Sequence, residues 1–355
     1  MTSVAKFTPE ELELVPDEIE LSPVLEGLPE PLIPEAPPEE VIPAPKMALS
    51  NDQYQALPDW SSTALRQLRK KGARWVYERY VTRSTRPKPP SEALRNGRVV
   101  NSLVLGAEGG DRLAVTAVEG RNTKMFRAAK DYFGDSRFTI SLKEARRGRA
   151  QAAAILQPET PSAETAREIL SWPGYNEYQV RTKVDLGGDM ALAARGAFDL
   201  LRVAPTGQVI LGDLKTTRAE SFGGPVLART VEDRQYDLQI AWYVEILKML
   251  GINVDLAVFV FVRNEEPYDV SVQRLPAFWL MQARKAIRTT ARQIVHCQNR
   301  GETPWQAFWE RTLDIEEIPY RTWHVEALAE DDDEPVVHLT EEEWNPAEHG
   351  FLEGL

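Results

Sequence analysis

Cysteine is almost missing from this chain: Cys297 is the single one among 355 residues. One thiol cannot close an intramolecular disulfide, ligate an iron–sulfur cluster alone or build a cysteine zinc site. Such usage fits a reducing, cytoplasmic setting. Long apolar runs are missing too. No segment reaches the ~18 uninterrupted apolar residues of a membrane helix. The N-terminus is acidic and proline-rich, which is not the pattern of a secretory leader. Histidine is scarce: His296, His324, His338 and His349 are the only four, and they read as structural or tail residues. Lys and Arg are absent from residues 325–355.

That last absence changes the meaning of the net charge. Of the overall −12, residues 1–46 carry −9 and residues 325–355 carry −11, which leaves +8 for residues 47–324. An acidic average hides a basic middle, and a basic middle is compatible with a polyanionic partner.

The chain divides accordingly. Residues 1–46 hold ten prolines among glutamates and read as a disordered or extended acidic leader. Its roles range from a passive solubilising segment to a partner-binding stretch or a mimic of nucleic-acid charge. Order is expected over residues 47–324, followed by an acidic tail, 325–355. Ser50-Asn51-Asp52 and Ser61-Ser62-Thr63 offer helix caps. The second precedes an amphipathic helix bearing Arg66, Arg69, Lys70, Lys71 and Arg74. Val99–Leu105 reads as a buried helix segment, and residues 141–157 and 163–170 as further helices. After Pro173-Gly174 come short β segments, with Pro205-Thr206-Gly207 as a hairpin connection. One amphipathic helix is predicted over 231–250, ending at Gly251. Strands over 254–262 and 268–275 and a helix over 276–300 follow. The order points to an α/β (α+β) fold with a central mixed sheet flanked by helices.

The chemistry-bearing residues lie within the β cluster. In Gly212-Asp213-Leu214-Lys215-Thr216-Thr217, Asp213 and Lys215 are two apart. On a strand they project from one face while Leu214 packs on the other. Asp199, on the preceding strand, can converge on the same point. Two carboxylates can hold Mg²⁺, a hard cation that keeps several waters. A lysine beside it can orient a water or neutralise transition-state charge in phosphodiester cleavage. Glu177 either completes the ligand shell or is a solvated strand-edge glutamate. Asp-x-Lys alone is a weak signal, better explained by a structural salt bridge between strands. Gln239 and Tyr243, four apart and hence on one helical face, add to the constellation.

Together these motifs resemble the RecE-like exonucleases (the exodeoxyribonuclease VIII family) of the PD-(D/E)xK superfamily. The resemblance rests on Ser50–Tyr54, Ser61–Leu65, Asn96–Leu105, Arg195–Asp199, Gly212–Thr217, Arg234–Tyr243 and Glu266–Val270. It implies a PD-(D/E)xK restriction-endonuclease-like core. It implies a catalytic set of Asp199, Asp213, Lys215, Glu177, Gln239 and Tyr243. It implies a metal held by Asp199, Asp213, the backbone carbonyl of Leu214 and Glu177, with Mg²⁺ as cofactor and Mn²⁺ as substitute. It further implies degradation of linear double-stranded DNA from 5′ ends, a ring-shaped homo-oligomer, and a single-strand annealing partner for phage-type recombination.

Two positions depart from the family pattern. Phe198 stands where proline is usual, and Asn101 where a histidine is common. An asparagine amide can contact a metal-bound water or a phosphate, but it cannot titrate as imidazole does. A catalytically weak or inactive DNA-binding or assembly protein on the same fold is therefore the alternative. The DNA-contact set on either reading is Arg66, Arg69, Lys70, Arg74, Asn101 and Thr216, with little sequence preference expected from phosphate contacts. Trp75 is expected in the core.

Overall fold

The computed structural model describes residues 28–45, 47–49, 51–85, 89–106, 113–134, 137–300 and 305. The first 27 residues of the leader and the acidic tail lie outside the described residues.

The helices begin where the sequence supplies caps. After α1 (Asn51–Ala56), Ser61 caps α2 (Ser62–Lys71), its hydroxyl accepting from Ala64 N. The short α3 (Ala73–Val76) runs into a π-helical turn, Tyr77–Val81. Ser91 caps α4 (Glu92–Leu105). Strand β1 (Leu113–Val115), helix α5 (Lys124–Phe133) and strand β2 (Phe138–Ile140) follow, and β1 and β2 pair in parallel. This small sheet carried no periodic signal, because three-residue strands are too short to show one. Ser141 and Glu144 form a reciprocal capping box on α6 (Leu142–Leu156), and Thr160 caps α7 (Pro161–Ser171) with Pro161 in its first turn.

The second half builds the main sheet. β3 (Gly174–Gly187), β4 (Met190–Val203) and β5 (Val209–Thr217) are a meander. Pro205-Thr206-Gly207 makes the tight connection, with Gly207 at φ 84° and its N–H donating to Ala204 O at 2.8 Å. Helices α8 (Gly224–Arg234) and α9 (Tyr236–Lys248) lead to β6 (Leu256–Arg263), β7 (Val270–Arg274) and α10 (Ala277–Arg300). The sheet order is β3-β4-β5-β6-β7, with only β5–β6 parallel. It is the mixed sheet flanked by helices that the element order implies.

Three sequence expectations are corrected. The helix expected over 231–250 is two helices broken at Gln235, which adopts the left-handed conformation (φ 55°, ψ 41°). Gln235 is not glycine, so nothing in the residue pattern marks a helix end there. α9 is also not amphipathic: every residue from Leu238 to Leu247 is buried, because one side meets the sheet and the other meets α2 and α10. The leader, thirdly, enters the core before residue 47. Residues 28–45 run extended over the body, with Ile42 fully buried in the main apolar cluster. Gly174 N donates to Glu35 O at 2.8 Å and Leu32 N to Val104 O at 3.1 Å.

Close packing positions α4 over the sheet. A Cβ at Gly148 of α6 would meet Val99 Cγ1 at 2.3 Å, so glycine lets the two helices approach. Val100 and Val104 of α4 then pack with Leu200, Leu214 and Val260 of the sheet. The opposite face of the sheet packs against α9 and α10, whose own contact is fixed by buried Glu245, paired with Arg284 and Arg288.

The docked strap has a measurable consequence. Ile42→Ala is expected to lower unfolding free energy by about 2–5 kcal/mol, the range for truncating a buried isoleucine. Chemical denaturation checks this, and an unchanged midpoint would mean that Ile42 is not packed in solution.

Candidate active site

The site forms where β4 and β5 part. Their ladder runs from Val203–Val209 to Leu200–Gly212 and stops. The next position in that register would place Asp199 opposite Asp213. The strands do not bond there; the Leu214 N–H donates instead to Asp199 Oδ2 at 3.0 Å. Separation of the strands thus turns two carboxylates toward one point. Gly212 permits the approach just before it, since a Cβ there would meet Leu200 Cδ1 at 2.9 Å.

Asp213 is fully buried, and its carboxylate pairs with the Lys215 ammonium. Gln239 Nε2 reaches Asp213 Oδ1 at 3.3 Å and Tyr243 OH at 3.1 Å. The break at Gln235 is what swings α9 into this position. It also sets the Tyr236 ring 5.1 Å from Lys215 Nζ, a favourable place for a cation. Leu214 faces the other way, into the apolar layer under α4.

A cleft of about 1210 Å³ opens over this point. Asp199, Lys215, Leu214, Gln239 and Tyr243 line it, as do Glu177, Asn101 and Thr216. Arg66 and Lys70 stand at its rim, whereas Arg69 and Arg74 are not among the lining residues. Arg74 points to solvent and pairs with Glu78 at 3.0 Å. Arg66 is partly committed, donating to Arg234 O at 3.1 Å. Trp75 is half-buried against the main core, edge-on to Tyr80. Sequence reasoning missed Arg98, Arg218 and Arg234, which share the rim. They lie on α4, in the loop after β5 and at the end of α8, so no charge run marked them. It also missed Asn264, whose Oδ1 accepts from Asn96 and Gln151, both at 3.2 Å.

Residues 179–308 match the family model described as a PDDEXK-like domain of unknown function (DUF3799). The fold is a PDDEXK-like one. A crystal structure of a candidate exonuclease from Eubacterium rectale is similar over 79% of this chain and 99% of its own, at 14% identity and a TM-score of 0.46. The crystal structure of SSO0001 is similar over 41% of this chain and 70% of its own, at 19% identity and a TM-score of 0.23. No curated protein matches the chain. Among the described residues, no helix is long and apolar enough to cross a membrane.

PDDEXK-like nucleases generally use divalent metals, and this site fits one. Burial, then the neighbouring Asp213 carboxylate, push Asp199 well above the usual carboxylate range. Burial alone would lower the Lys215 ammonium, but Asp213 and then Asp199 outweigh it and hold it raised. One lysine shared by two carboxylates leaves negative charge that a cation would neutralise. Asn101 Oδ1 is a buried acceptor with no hydrogen-bond partner among the described residues. It lies one turn after Gly97, where a Cβ would be 3.8 Å from Thr216 Oγ1, so it is on the face of α4 toward β5. No cluster of three His, Cys, Asp or Glu side chains occurs among the described residues. The oxygen atoms that face the cleft, the Asp199 carboxylate and the Asn101 amide, are donors of the kind a hard cation that keeps its waters prefers.

The metal-free site should be strained electrostatically at neutral pH. Because the folded state raises the Asp199 pKa, the unfolded chain gives up that proton first. The resulting penalty is absent below about pH 4 and grows as pH rises through the folded value. In EDTA, Asp199→Asn is expected to melt above the parent at pH 7 and to converge with it at low pH. Thermal melts at both pH values check this; a lower melting temperature at pH 7 would contradict the repulsion.

Proposed function

We propose that the protein is a metal-dependent DNA exonuclease of the RecE-like kind. The observation that carries this reading is the meeting of Asp199, buried Asp213 and Lys215 where β4 and β5 separate, under a cleft rimmed by arginine and lysine.

In this reading Asp199 and the Leu214 carbonyl hold Mg²⁺, or Mn²⁺ in its place, with Asp213 behind them and Glu177 and Asn101 at the cleft wall. A bound divalent cation supplies Lewis acidity at the phosphoryl oxygen and a nucleophilic water near neutral pH. The chain's residues do the remainder. Asp213 orients Lys215, whose ammonium offsets charge developing on the phosphoryl group. Gln239 fixes Asp213, and Tyr243 fixes Gln239. Burial and the Asp213 carboxylate keep the Tyr243 phenol protonated, so it acts as an orienting group and not as a base. Arg66, Lys70 and Thr216 are placed to meet phosphates, with Arg69 and Arg74 farther out along the same helix run. Phosphate contacts carry no base information, so low sequence preference and strong salt dependence follow. The resemblance extends the reading to linear double-stranded DNA, digestion from 5′ to 3′, a ring of subunits, and service to a single-strand annealing protein in phage-type recombination.

Two observations favour a second reading, a catalytically weak DNA-binding protein. Asp213 is completely covered, and Asn101 occupies the position of the family's frequent histidine.

Linear duplex DNA labelled at either end separates the two. The expected result is Mg²⁺-dependent loss of linear but not closed circular DNA, abolished by EDTA. Lys215→Ala should reduce the rate about 10²–10³-fold, the scale for losing one preorganised electrostatic group, while DNA binding persists. DNA retention without cleavage by the parent protein would favour the second reading.

A further inference from the structure

Glu177 occupies an unusual backbone conformation for a strand interior. Its φ is 48°, a region that non-glycine residues rarely enter. It sits between the pairs Asn176–Leu200 and Tyr178–Phe198, which sets it opposite Asp199. Conformations of this kind persist only where the surroundings over-determine them, and they cluster at working sites.

The surroundings do so here from both sides. Before Glu177, Asn176 Nδ2 donates to Leu32 O at 2.8 Å and to Leu105 O at 2.7 Å. Asn176 Oδ1 accepts from the Arg202 guanidinium. Arg202 is wholly buried, and burial lowers its pKa to about 9. It also donates to Leu170 O at 3.2 Å and Tyr175 O at 2.6 Å. After Glu177, Tyr178 OH donates to Pro43 O at 3.1 Å, and the Gln179 amide grips both backbone groups of Leu49 at 2.9 Å. Strap, α4, α7 and β4 are thus tied to the residues flanking one glutamate.

We propose that Asn176 is a positioning residue that holds Glu177 turned into the cleft beside Asp199, so that the strap over residues 28–45 is a working part of the cation site. This rests on the reading of the cleft as a divalent-cation site. The chemistry demands an amide. Asn176 donates twice and accepts once, whereas an aspartate keeps the Arg202 contact and loses both donations.

The test is Mn²⁺ binding to the full chain by electron paramagnetic resonance, with DNA cleavage measured in parallel. The variants are Asn176→Ala, Asn176→Asp, Glu177→Gln and Asn176→Asp/Glu177→Gln. Asn176→Asp and Glu177→Gln are each expected to weaken Mn²⁺ binding about 10-fold or more, the scale for removing a group that orients a ligand. The double variant should bind no more weakly than Glu177→Gln alone, because the asparagine acts through the glutamate. A purely structural asparagine would lower the melting temperature and leave Mn²⁺ affinity unchanged, which overturns the proposal. Losses that multiply, or a Glu177→Gln chain that binds as the parent does, overturn it as well, even if Asn176→Ala fails to fold. A parent chain that binds Mn²⁺ but cleaves no DNA would defeat the nuclease reading alone. A parent that binds none would defeat the cation site and this proposal together.

Discussion

A buried ion pair at the end of a strand organises this molecule. Asp213 has no exposed surface and Lys215 very little. Burying charge costs several kcal/mol per ion unless partners compensate, and the partners come from elements far apart in sequence. β4 brings Asp199, and α9 brings Gln239, Tyr243 and Tyr236. The left-handed turn at Gln235 is needed for α9 to reach the pair, and the opening of the β4–β5 ladder is needed for Asp199 to face it. Neither feature improves regular secondary structure. Both make sense as conditions for placing two carboxylates and an ammonium at one mouth.

The same constraint explains the polar anchoring around the cleft. A site held by a sheet edge would be loose, and among the described residues β3 is the edge strand of its sheet, with a single bridge from Met47 to Gln179 beyond it. The strap supplies partners without extending the sheet. It bonds to Gly174 and, through their side chains, to Asn176 and Tyr178, while Leu49 just after it bonds to Gln179. Ile42 seats it in the core. On the other wall, Asn96, Gln151 and Asn264 bond to one another across α4, α6 and the end of β6. That arrangement fixes the helix carrying Asn101.

Much of this was legible in the sequence where the signals are local. Ser61 and the prolines and glycines at turns marked element ends, because capping and φ preferences act over three or four residues. Asp213 and Lys215 could be placed on one face because strand alternation is geometric. Asp199 could be paired with them because the hairpin is short. The missed parts depend on long-range packing. Gln235 reads as an ordinary helical residue, and its conformation is set by the fit of α8 and α9 around the site. The strap reads as a proline-rich leader, and its order comes from hydrogen bonds to residues 135 and 144 positions away. The rim residues Arg98, Arg218 and Arg234 converge only in three dimensions.

The cation site proposed where β4 and β5 part can be seen or refuted by diffraction. Anomalous diffraction from crystals soaked in Mn²⁺ tests it most directly. A single strong peak is expected about 2.0–2.2 Å from an Asp199 carboxylate oxygen, a spacing suited to a small hard cation, with the Leu214 carbonyl and Asp213 next to it. No peak there, or a peak held only by surface carboxylates elsewhere, would contradict it.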